Sequence, residues 1–115
     1  MKYFFALFFC VPLLITAQVF DDFEDGDFTN DPEWTGSAEK FIVNSNKQLQ
    51  LNDAEPGLSY LSTTNTMIDE AEWRFWLKLA FSPSDNNNAR FYLVSNTESI
   101  AEPLNGYFLQ FGEGG

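Results

Sequence analysis

The chain has no histidine. That excludes Ser-His-Asp and Cys-His catalysis, and any zinc site built on imidazole. It has one cysteine, Cys10, so no disulfide can form within it. Positive charge is scarce: six Lys and Arg stand against seventeen Asp and Glu, a formal net charge of −11. A nucleic-acid binder must neutralise phosphates with cations, and an anionic membrane surface asks for the same sign, so both partners are disfavoured. Length is limited too, since 115 residues allow one domain at most. What the chain has in quantity is aromatic side chains, at 17%. A chain without disulfides must be held by its apolar core, by a metal or by neighbouring chain.

The N-terminus has the layout of a secretory signal peptide. Met1 and Lys2 supply a minimal positive start, residues 3–15 form an apolar run broken only by Pro12, and Ala17 is a small residue at the cut. The run falls short of the ~20 apolar residues that span a bilayer. Phe9 before Cys10 excludes lipoprotein processing. Residues 1–17 are therefore expected to be removed, leaving a secreted or cell-surface chain from Gln18 with no membrane span.

Residues 18–115 read as strands. Short runs of period two alternate with Asn, Asp, Gly, Pro and Ser clusters. Strands are expected over 19–23, 40–44, 48–51, 58–63, 72–81, 90–95 and 106–111. Asn44-Ser45-Asn46 turns the second run into the third, a credible hairpin. The clearest run is 72–81. Trp73, Phe75, Leu77, Leu79 and Phe81 fall on one face, opposite Glu72, Arg74, Trp76 and Lys78. This pattern predicts an all-β fold, an antiparallel β-sandwich or jelly roll. The run 107–111 is followed by turn-like Gly112-Glu113-Gly114-Gly115. An aromatic strand lacking one neighbour is an aggregation hazard, so further strands, the rest of the same polypeptide, are expected downstream.

One outer face of the sheet is a candidate sugar site. With Phe91, Leu93, Tyr107, Leu109 and Phe111 facing the core, Arg90, Tyr92, Phe108 and Gln110 point the same way as Arg74, Trp76 and Lys78. Rings cover the apolar face of a sugar, and flanking polar groups bond its hydroxyls. Three of the chain's six basic residues gather there. The bland alternative is that further strands or a second domain cover this face.

The order of several segments resembles a known module. Residues 21–28 (Asp-Asp-Phe-Glu-Asp-Gly-Asp-Phe), Trp34-Thr35-Gly36, Phe41-Ile42-Val43-Asn44, Gln48-Leu49-Gln50-Leu51, residues 72–79, residues 90–95 and Leu104-Asn105-Gly106-Tyr107 are similar to the concanavalin A-like (laminin G-like) jelly roll. The arrangement, with its export signal, resembles the N-terminal module of large secreted surface proteins of Bacteroidota, which often carry lamin-tail and type IX secretion sorting domains further along. The family module has more strands than this chain offers, so residues 18–115 are expected to be a partial domain.

Asp21, Asp22, Glu24, Asp25 and Asp27 set five carboxylates around Gly26. Calcium takes six to eight oxygen ligands and needs no His or Cys. The resemblance implies calcium near strand ends, with Asp25 and Asp27 as ligands. The plainer reading is a solvated acidic loop. A retaining glycosidase requires two carboxyls roughly 5 Å apart across the sugar. Glu70 and Glu72 share a strand face about 6.5–7 Å apart but sit at the entry of the long run. They do not match the alternating acidic motif of jelly-roll glycosidases.

The expectation is therefore an exported, non-catalytic module for adhesion or carbohydrate binding, partnered by glycans or a cell-surface molecule. Its rivals are an N-terminal fragment of a polysaccharide-degrading glycoside hydrolase and a structural spacer.

Overall fold

The computed structural model describes residues 18–113. Residues 1–17, expected from the sequence to be a signal peptide, lie outside the described residues. Among those described, strand dominates over helix. Six short strands form three two-stranded antiparallel ribbons, and the one helical element is a 3-10 turn over Ala38–Lys40. No helix among them is long and apolar enough to cross a membrane.

Strand β1, Thr35–Gly36, pairs with β4, Leu61–Ser62. The approach is close because Gly36 has no side chain: a Cβ there would lie 2.6 Å from the Tyr60 carbonyl oxygen. Gly36 also takes φ +125°, which side-chain-bearing residues avoid. Bonds from the Ser37 N–H to the Tyr60 carbonyl (2.8 Å) and from the Tyr60 N–H to the Ser37 hydroxyl (3.3 Å) extend the ribbon.

The expected hairpin is present. Strand β2, Phe41–Val43, pairs with β3, Leu49–Leu51, in the register Phe41↔Leu51 and Val43↔Leu49. Asn44 closes its turn, its side-chain carbonyl accepting from the N–H groups of Asn46 (2.9 Å) and Gln48 (3.2 Å). Asn favours turns for this reason. At the open end Lys40 meets Asp53 at 2.7 Å.

The longest ribbon joins β5, Ala89–Ser95, to β6, Gly106–Phe111. The register runs Arg90↔Gln110, Phe91↔Leu109 and Tyr92↔Phe108, then shifts at a bulge, so that Val94 faces Tyr107. The Asn-rich loop before β5 is a turn, closed by paired backbone bonds between Ser84 and Asn87.

Two expected strands differ. Residues 19–23 form no strand, because Asp21 and Asp22 turn the backbone there. Residues 72–81 join no ladder. Alternation sets which side of a segment is apolar, but a strand also needs a neighbour for its N–H and C=O groups. Of the apolar side, Phe75 makes the expected contact, stacking on Phe91 at 3.9 Å and meeting Phe111 edge-on at 6.3 Å, while Leu77 and Phe81 stay exposed. Among the described residues none is fully buried, and Tyr107 is 76% exposed.

Candidate functional site

The pleat of the β5–β6 ribbon separates two faces. Phe91 and Phe111 carry the Phe75 contact on one of them. On the other, the cross-strand pairs Tyr92↔Phe108 and Arg90↔Gln110 stand side by side. The Tyr92 and Phe108 rings lie 5.0 Å apart, tilted by 40°. The Arg90 guanidinium sits 5.0 Å from the Phe108 ring centroid, within cation–π range. Its Nε donates to the Gln110 side-chain carbonyl at 2.9 Å. Two rings, a cation and an amide are thereby held in one patch by the register alone. Phe108 is 43% exposed, and Arg90 and Gln110 are exposed as well.

Four of the six residues expected at a sugar site are thus brought together. The other two lie on the 72–81 segment. Trp76 is 67% exposed, opposite in alternation to the packed Phe75. Arg74 is engaged by Glu72, with Nε 2.6 Å from its carboxylate. That pair occupies one of the two acids weighed for glycosidase chemistry. Glu70 stands in a turn with φ 55°.

The acidic loop folds on its own carboxylates. Asp21, Asp22, Asp25 and Asp27 each accept the backbone N–H two residues ahead, at 2.8–3.1 Å. This is the Asx-turn habit of aspartate, repeated four times. The other Asp21 oxygen accepts the Trp34 indole N–H at 2.8 Å, which ties the loop to the start of β1. Asp27 also accepts from the N–H of Phe28, the hydroxyl of Thr29 and the amide of Asn30, each at 2.8 Å. Among the described residues no group of three or more acidic, Cys or His side chains is placed to hold a metal ion. Asp25 and Asp27, the residues expected to ligate calcium, act here as acceptors of backbone N–H groups.

Two carboxylates are held well below the ordinary range. Asp27 falls from 3.8 to about 2, chiefly through the Asn30 amide and then the Thr29 N–H. Asp53 also falls to about 2, chiefly through the Lys40 ammonium, with the Glu55 N–H and Ser59 hydroxyl adding to it. The same contact raises Lys40. A carboxylate depressed by folding stabilises the fold above its unfolded pKa, and that contribution is lost as pH falls through the folded value. Local order at both sites is therefore expected to fade between about pH 4 and pH 2. Carboxyl carbon NMR titration checks this: midpoints near 4 for Asp27 and Asp53 would contradict it.

No family model, curated protein or solved structure matches the chain.

Proposed function

We propose that the chain is an exported, non-catalytic β module of a secreted or cell-surface protein, of jelly-roll type, that binds carbohydrate on the outer face of the β5–β6 ribbon. The observation that carries this reading is the patch of Tyr92, Phe108, Arg90 and Gln110, with its rings paired and its cation already oriented. A sugar ring offers apolar C–H groups to aromatic faces and hydroxyls to amide and guanidinium groups. Arg90 uses Nε for Gln110, which leaves its terminal nitrogens as donors. Exposed Trp76 adds a third aromatic surface. Calcium enters only as a condition to be varied in the test.

A glycan array probed with the full-length protein, with and without calcium, tests the reading. Binding to at least one oligosaccharide class is expected, and silence under both conditions would leave a structural spacer. Trp76→Ala refines the outcome. It is expected to lower affinity while changing stability by less than about 0.5 kcal/mol, as for exposed side chains generally. A large loss of stability on thermal unfolding would remove Trp76 from the face.

A further inference from the structure

A cleft opens between β1, the end of β4, the C-terminal part of β5 and the β5–β6 connection. Its larger lobe, about 370 Å³, is lined by Glu33, Thr35, Ser62, Thr64 and Glu98 among others. That volume lies within the roughly 300–1,000 Å³ typical of ligand sites. A second lobe of about 220 Å³ shares Ser62, Thr63, Thr64 and Glu98 with the first, and adds the aliphatic walls of Ile68, Leu93 and Val94. The two lobes adjoin along Ser62, Thr63, Thr64 and Glu98. No Lys or Arg lines either of them.

We infer that this cleft binds a linear aliphatic primary ammonium, with its charge against Glu98 and its methylene chain along Ile68, Leu93 and Val94. An ammonium has three donors and no acceptor, so it needs a wall of acceptors. Glu98 supplies a carboxylate, and Ser and Thr hydroxyls supply lone pairs beside it. The Thr64 hydroxyl donates to one Glu98 oxygen at 3.3 Å, which positions the carboxylate and leaves its second oxygen for the ligand. Glu33, at the larger lobe, offers a second carboxylate for a ligand with two charged ends. A net charge of −11 draws cations toward the protein and repels anions. The site is separate from the carbohydrate reading and does not depend on it.

Amide NMR titration of the full-length protein tests the inference. The probes are 1,5-diaminopentane, 1,5-pentanediol and Nα-acetyl-lysine amide. The diamine is expected to give saturable shifts at Thr63, Thr64 and Glu98, and the diol of equal length none. Glu98→Gln is expected to weaken the diamine roughly fivefold or more, as for the loss of one charge-assisted hydrogen bond in a partly solvated site. Glu98 is exposed, so the rest of the spectrum serves as the control for folding. Tighter binding of the diamine than of the lysine amide would point to a free diamine, and the reverse order to a lysine side chain. Equal response to the diol, indifference to Glu98→Gln, or no saturable shift with either cation would overturn the inference.

Discussion

Phe108→Ala is expected to weaken oligosaccharide binding by about tenfold or more, equivalent to roughly 1.4 kcal/mol. Phe108 carries two contacts, one to the partner ring and one to the cation. It pairs with Tyr92 at 5.0 Å and supports the Arg90 guanidinium at 5.0 Å. Alanine removes the stacking surface and one of the two contacts that hold Arg90, leaving the Gln110 bond as its remaining anchor. Stability suffers as well. An aromatic pair contributes about 0.5–1.5 kcal/mol, and an exposed cation–π contact about 0.5–1 kcal/mol. Two companion variants separate the effects. Phe108→Tyr keeps the ring and is expected to keep most of the affinity. Phe108→Leu keeps apolar bulk without the aromatic face, so it should recover stability but not binding. Calorimetry of the three variants against one array-positive oligosaccharide provides the check. Equal affinity for the Leu variant and the original protein would remove ring stacking from the mechanism.

Gly36→Ala is expected to destabilise the β1–β4 ribbon by about 1–3 kcal/mol, the cost of holding a residue in a disfavoured backbone region. Two physical effects coincide at this position. The backbone lies at φ +125°, and a Cβ would stand 2.6 Å from the Tyr60 carbonyl oxygen and 2.9 Å from its ring. Neither strain nor clash can relax alone, because the Ser37–Tyr60 bonds hold the two segments in register. Urea denaturation of the variant, with hydrogen exchange at Ser37 and Tyr60, measures the effect. Unchanged midpoint and protection would show that the close approach is not maintained in solution.

The sequence reveals this fold unevenly, and the reasons are physical. The Phe41–Val43 and Leu49–Leu51 hairpin is legible because everything it needs is local: alternating apolar residues and an Asn whose side chain closes the turn. The β5–β6 pairing is legible in its phase, which is why Tyr92, Arg90, Phe108 and Gln110 fall on a common face. The bulge beyond Tyr92 is not, since no glycine or proline marks it. Residues 72–81 show the limit of alternation. It foretells that Phe75 meets the β5 ring Phe91 while Trp76 stays open, but it does not say whether a neighbouring backbone completes the ladder. The acidic loop has two readings with the same composition. Calcium ligands and Asx turns both call for aspartate, and composition does not show which backbone N–H groups the carboxylates accept. The bond between Asp21 and the Trp34 indole spans thirteen positions, beyond any local rule. The cleft near Glu98 leaves no mark on the sequence at all, because its hydroxyls come from three separate stretches of chain.

The central claim is that carbohydrate meets this protein on the outer face of the β5–β6 ribbon. Chemical-shift mapping of the full-length protein with an array-positive oligosaccharide tests it most directly. The account predicts that the largest perturbations fall on the Tyr92 and Phe108 rings and on the side-chain N–H groups of Arg90 and Gln110. Perturbations confined to the acidic loop or to the Glu98 cleft, with the ribbon resonances unmoved, would contradict it.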